Sequence, residues 1–69
     1  MSEQQFTDFW QDVLISVHEN IRDLRQKQAF ADPEEQNYIA GRLFSYEEML
    51  EIFRMSAREA GLKPKEIGL

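Results

Sequence analysis

The 69-residue sequence contains no cysteine, which excludes disulfide bonds and thiolate metal sites. It also lacks an apolar run of the ~20 residues that a membrane-spanning helix needs. The polar start Ser2–Gln5 argues against a signal peptide, so we expect a cytoplasmic protein. Basic residues are not in excess either: the formal net charge of −5 argues against nucleic acid as a partner. The functions left to weigh are protein binding and catalysis.

Residues that break helices are scarce, with three glycines and two prolines in the chain. Before residue 41, Pro33 is the only one of them. Apolar residues recur here at the three- and four-residue steps of an amphipathic helix: Phe6, Phe9, Trp10, Val13, Leu14, Val17, Ile21 and Leu24. Because Ser2 and Gln5 have the spacing of a capping box, the pattern predicts a first helix over residues 3–29.

The second half of the chain has complete helix-boundary signals. Asp32 is a favourable N-cap, Pro33 suits the first helical position, and Glu35 has capping-box spacing. Gly61 can adopt the left-handed conformation that ends helices. Between them, the apolar residues follow a coiled-coil a/d pattern: Ile39, Leu43, Tyr46, Leu50, Phe53, Ala57 and Ala60. The sequence therefore predicts a second helix over 33–60 whose narrow apolar stripe packs on another helix.

The short connection after the first helix forces the two predicted helices to lie antiparallel. If the turn centres on the connection Phe30–Asp32, Trp10 should face Phe53 and Val17 should face Tyr46. The two apolar stripes match across the turn, so independent patterns agree on one register. The predicted fold class is all-α, a two-helix antiparallel hairpin in a single domain, residues 1–69.

The tail, residues 61–69, carries no helical pattern. Pro64 prevents a continuation of the second helix. Leu62, Ile67 and Leu69 are available to pack on the hairpin or on a neighbouring molecule. The other possibility is that the tail does not pack at all. We expect a partly frayed terminus.

A hairpin buries only its facing stripes, so apolar residues on the flanks of both helices should stay exposed in a monomer. A contiguous exposed apolar set is typical of a protein interface. The candidate interface residues are Phe9, Val13, Tyr38, Met49 and Ile52. A chain this short usually needs a partner subunit or another staple. We therefore predict a homodimer in which two hairpins form a four-helix bundle.

Side chains with catalytic potential occur, but not in the arrangements that catalysis or metal binding requires. His18 is the only histidine, and the Glu-x-x-His motif of dimetal helical bundles is absent. Glu47, Glu48 and Glu51 form a cluster in sequence, but paired catalytic carboxylates need a concave, partly dry site. We predict that the protein is not an enzyme and takes no metal, cofactor or small-molecule substrate.

Gly41 is a residue that the interior of a helix does not favour. It costs ~1 kcal/mol relative to alanine at such a position. Its neighbour Ala40 is also small, so we expect another backbone or side chain to approach closely there.

The second predicted helix contains the run Tyr38-x-x-Gly41-Arg42-Leu43-x-x-Tyr46-x-Glu48-x-Leu50. This run resembles the Tyr-x-x-Gly-(Lys/Arg)-x-x-x-Tyr pattern that opens the second helix of small uncharacterised helical-hairpin proteins of bacteria and their phages. The resemblance implies a bacterial or prophage accessory protein. No activity and no site residue is transferred with it.

Two functions remain. The leading hypothesis is a non-enzymatic protein–protein interaction or accessory protein, a self-associating helical hairpin. The alternative is an acidic inhibitor, antitoxin or nucleic-acid mimic that binds a larger basic protein. Acidic residues would form its contact surface: Glu19, Asp23, Glu47, Glu48 and Glu51. An enzyme with a carboxylate pair in a pocket between subunits ranks below both.

Overall fold

The computed structural model describes Met1–Leu69 and contains three helices and no strand. Helix α1 spans Glu3–Gln28, α2 spans Pro33–Glu59, and a short 3-10 helix spans Pro64–Ile67. The two long helices pack against each other, and the molecule measures 45 × 22 × 17 Å. The prediction of an all-α helical hairpin is confirmed, with both helices ending one residue earlier than predicted.

A complete capping box fixes the start of α1. The Ser2 hydroxyl accepts a hydrogen bond from the Gln5 backbone N–H at 3.1 Å, and the Gln5 side-chain oxygen accepts one from the Ser2 N–H at 2.9 Å. Two backbone donors that the helix leaves without partners are thereby satisfied. The helix start predicted from the sequence is confirmed.

The turn and the start of α2 follow half of the expected pattern. Asp32 accepts a hydrogen bond from the Glu35 backbone N–H at 2.9 Å, and Pro33 occupies the first turn of the helix. Glu35 does not complete a capping box; instead the Gln36 side chain donates to the Ala31 carbonyl at 3.0 Å. The amide of Gln36 therefore links the turn to the helix.

Gly61 ends α2 as predicted. Its φ of +79° is left-handed, a conformation that glycine adopts without steric cost. The Gly61 N–H donates to the Arg58 carbonyl at 3.0 Å, and the Leu62 N–H donates to the Ala57 carbonyl at 2.8 Å. These are the two hydrogen bonds of a Schellman motif, and they turn the chain back toward the hairpin.

The core lies between the two helices and is small. Six of the 69 residues are buried, and all are apolar: Leu14, Ile21, Leu24, Ile39, Leu50 and Ala57. Leu50, at 2% exposure, is the most buried of them. A core of this size supplies little stability, since hairpins of two helices have one shared interface.

Aromatic contacts show the register. The Trp10 and Phe53 rings meet edge to face, with centroids 5.4 Å apart, as the matched stripes predict. Asn20 donates a hydrogen bond to the Tyr46 hydroxyl at 3.0 Å. Tyr46 therefore lies within one helical turn of its predicted neighbour on α1, Val17. Val17 is half-buried, and its contact with Tyr46 stays a prediction.

The tail corrects the sequence analysis, because the prediction of a frayed terminus is wrong. Pro64–Ile67 forms one 3-10 turn, and the Trp10 indole N–H donates to the Ile67 carbonyl at 2.9 Å. The Arg54 guanidinium donates to the Leu69 carbonyl at 3.2 Å. A half-buried indole N–H usually finds a hydrogen-bond partner. Here the tail supplies the acceptor.

Candidate interaction surface

The hairpin has two broad sides, one on each flank of the core. Successive residues of an α-helix are rotated by about 100°, so a cross-helix contact identifies the residues that share a side. Arg25 and Glu47 meet at 3.5 Å on one side, which also carries the tail. Asn20 and Tyr46 meet on the other. We call these the tail side and the free side.

The tail side is covered near the open end of the hairpin. Ile67 and Gly68 lie over Trp10 and Leu14. The approach is close at Gly68, where an added Cβ would lie 2.8 Å from Leu14 Cδ1. The apolar flank of α1 on this side is therefore shielded by the chain's own end.

Charged residues occupy the rest of the tail side. Glu51 contacts Arg54 at 3.5 Å and Arg58 at 3.8 Å, in addition to the pair between Arg25 and Glu47. These pairs are largely exposed, so each contributes little to stability. They nevertheless mean that two of the acidic residues on this side already have partners within the chain.

The free side is different in its open half, which contains no charged residue. Helical periodicity places eight residues there: Phe9, Val13, Ser16 and Asn20 of α1, and Ser45, Met49, Ser56 and Ala60 of α2. Phe9 is 60% exposed, with Phe6 as its only aromatic neighbour at 6.4 Å between centroids. Val13 and Met49 are half-buried. The tail reaches this strip only at its open end, where Leu62, Ile67 and Leu69 line a cavity together with Ser56 and Ala60.

The turn half of the free side carries charges without partners. Lys27, Arg42 and Glu35 lie on it, and Asp23 lies at its outer edge. None of the four takes part in an ion pair within the hairpin. A groove between the helix ends is lined by Lys27 and Arg42 together with exposed Tyr38. The free side is thus uncharged toward the open end and charged toward the turn.

The structure brings together most of the predicted interface residues. Phe9, Val13 and Met49 are neighbours on the free side, and Tyr38 lies on the same side near the turn. Ile52 is rotated further toward the outer surface of α2 and is 61% exposed. The predicted set therefore forms one surface with Ile52 at its edge.

Other candidate residues are dispersed. His18 is exposed on the tail side, in a groove with Glu66. Glu48 is exposed on the outer surface of α2, away from the paired Glu47 and Glu51. No group of three or more histidine, aspartate or glutamate side chains is arranged to hold a metal ion.

Gly41 differs from the prediction made for it. An added Cβ would meet nothing within 4 Å, so the expected close approach within the chain is wrong. The Ser45 hydroxyl donates to the Gly41 carbonyl at 3.2 Å, a local contact that needs no glycine. The structure gives no packing reason for this residue.

Comparisons with models of protein families, with curated proteins and with solved structures find no match for this chain. The resemblance to bacterial and phage helical-hairpin proteins therefore stays a prediction. Neither long helix has a stretch apolar enough to cross a membrane.

Proposed function

We propose that this protein is a non-enzymatic protein–protein interaction protein that associates with itself. Its free sides form the interface, and two hairpins together make a four-helix bundle. The observation that carries the proposal is the uncharged strip of the free side, with Phe9, Val13 and Met49 as its apolar residues. Exposed apolar patches of this kind are typical of interaction sites.

The size of the core supports the same conclusion. Six buried residues are few for a chain that exposes ten large hydrophobic side chains. Burying one such side chain completely contributes ~1.5–3 kcal/mol. A second hairpin on the free side would bury more apolar surface next to the core. The tail covers apolar residues mainly on the opposite side.

The alternative, an acidic inhibitor or antitoxin, has less support. Glu47 and Glu51 of the predicted acidic surface are engaged by Arg25, Arg54 and Arg58. Those arginines offset part of the negative charge that would attract a basic partner. Glu19, Asp23 and Glu48 do not share one side with them.

Sedimentation equilibrium tests the proposal directly. The wild-type protein at micromolar concentration should sediment as a dimer. Met49→Glu places a carboxylate in the uncharged strip and should shift the protein to monomer, because burying an unpaired charge is costly. Phe44→Glu is the matched control: Phe44 is also exposed, at 66%, but lies on the outer surface of α2.

The control variant should remain dimeric, with the helical circular dichroism of the wild type. A well-folded wild-type monomer over the accessible concentration range contradicts self-association. Dissociation by Phe44→Glu but not by Met49→Glu moves the interface to the outer surface. Cytoplasmic location and a bacterial or phage origin stay predictions.

A further inference from the structure

We infer that the second copy packs in parallel, with both turns at the same end of the bundle and the two-fold axis along its length. This inference rests on the proposed self-association and adds its geometry. Two free sides can meet with their turns together or with their turns at opposite ends. The distribution of apolar and charged residues along the free side separates the two arrangements.

In the parallel arrangement, each α1 lies beside the α2 of the other copy. The open halves then face each other, and Val13 comes level with Met49 of the second copy. Phe9 lies near Ser56 of that copy, a small residue that leaves room for its ring. The uncharged strips therefore cover each other over their whole length, which is what burial of apolar surface requires.

The turn halves match by charge in the same arrangement. The hairpin register sets Lys27 level with Glu35 of the second copy, and Arg42 near Asp23 of that copy. Each of these four residues lacks an ion-pair partner within its own chain. The two-fold axis repeats each pair, so complementary charges fix the orientation of the copies.

With the turns at opposite ends, the same residues are mismatched. Lys27 and Arg42 of one copy would lie over Phe9, Val13 and Met49 of the other. That arrangement takes cations out of water against apolar side chains without an acidic partner, which is unfavourable. It also leaves Asp23 and Glu35 unpaired.

The free side is large enough for a stable dimer. Two helices side by side are about 20 Å wide, because each has a diameter of about 10 Å with its side chains, and the molecule is 45 Å long. A stable interface buries roughly 800 Å² per partner, which one broad side can provide.

Distance measurement between spin labels tests the orientation. The sequence has no cysteine, so Phe30→Cys introduces a single labelling site, and any dipolar coupling arises between copies. Phe30 is 92% exposed in the turn, so the label leaves both helices intact. The parallel bundle places the two labels about 20 Å apart, since packed helices are ~8–10 Å from each other. Antiparallel copies place them roughly 40 Å apart, given the rise per helical residue.

Glu59→Cys, at the open end of α2, is the matched second site and should also give the short distance. Short distances at both sites support the parallel bundle. A long distance at both sites overturns it while leaving self-association intact. Monomers by sedimentation, with no coupling at either site, overturn the proposed function and the parallel arrangement together. A dimer by sedimentation without coupling overturns the parallel arrangement alone.

Discussion

The tail side and the free side flank the same core, yet the chain covers their apolar residues to different extents. On the tail side, Ile67 and Gly68 cover Trp10 and Leu14. On the free side, Phe9 stays 60% exposed. The tail thus covers the open half of one flank, whereas apolar surface remains exposed on the other.

The comparison shows what the residues after α2 do for a two-helix hairpin. A hairpin core has two flanks, and each must be covered or left exposed. The tail covers Trp10 and Leu14, in the open half of one flank.

The largest expected effect on this comparison comes from Gly68→Ala, which should release the tail. Gly68 has φ +87°, and an added Cβ would lie 2.8 Å from Leu14 Cδ1. An L-residue in this conformation costs ~1–2 kcal/mol before the clash is counted. Trp10, the only tryptophan, loses its cover, so its fluorescence emission should shift to longer wavelength and the melting temperature should fall.

Gly61→Ala is the control for Gly68→Ala. Its φ of +79° is similarly strained, but an added Cβ meets nothing within 4 Å. It should lower stability without shifting the Trp10 emission. An unchanged emission spectrum in Gly68→Ala would mean that the tail is not docked on Trp10 in solution.

How far the sequence predicts these two sides depends on the kind of signal. The helices and their register follow from periodic apolar residues and from Asp32 and Gly61, which act locally. The tail has three apolar residues at irregular spacing around Pro64, so no periodicity points to its position. One signal was available: Trp10 belongs to the apolar stripe of α1, and a buried indole N–H usually needs a hydrogen-bond acceptor.

The free side was predictable in part. Phe9, Val13, Tyr38 and Met49 share a side because helical geometry alone decides it. Sequence reasoning missed that the tail would cover the opposite flank, because tail docking depends on contacts between residues far apart in the chain. It also missed the reason for Gly41, since neither the sequence nor the packing supplies one.

A smaller loss of stability is expected when one hydrogen bond is removed, and the loss should differ between the two sides. Trp10→Phe removes the donor to the Ile67 carbonyl on the tail side, and Tyr46→Phe removes the acceptor of Asn20 on the free side. The bond to Ile67 is partly buried, whereas that of Tyr46 is exposed. Trp10→Phe should cost more than the ~0.5–1.5 kcal/mol of the hydrogen bond alone, because the smaller ring also loses packing. Tyr46→Phe should cost less, because water replaces an exposed partner.

Urea unfolding followed by circular dichroism measures both variants, since the tryptophan signal is absent from one of them. Tyr46→Phe keeps its ring, whereas Trp10→Phe replaces the bicyclic indole with a single ring and also loses packing against Phe53. Equal losses in the two variants would show that the tail hydrogen bond is as accessible to water as the one on the free side.

The smallest expected effect is a gain. Gly41→Ala should raise the free energy of unfolding by ~0.5–1 kcal/mol, because alanine loses less backbone entropy in a helix than glycine does. The space around Gly41 is open to 4 Å, and the residue faces away from the core, so the added methyl group meets no atom of the chain. Ala40→Gly, at the neighbouring exposed position, should lose a similar amount in thermal melts. A loss of stability in Gly41→Ala would mean that another molecule approaches the outer surface of α2. The second hairpin would then lie there, and the free side would not be the interface.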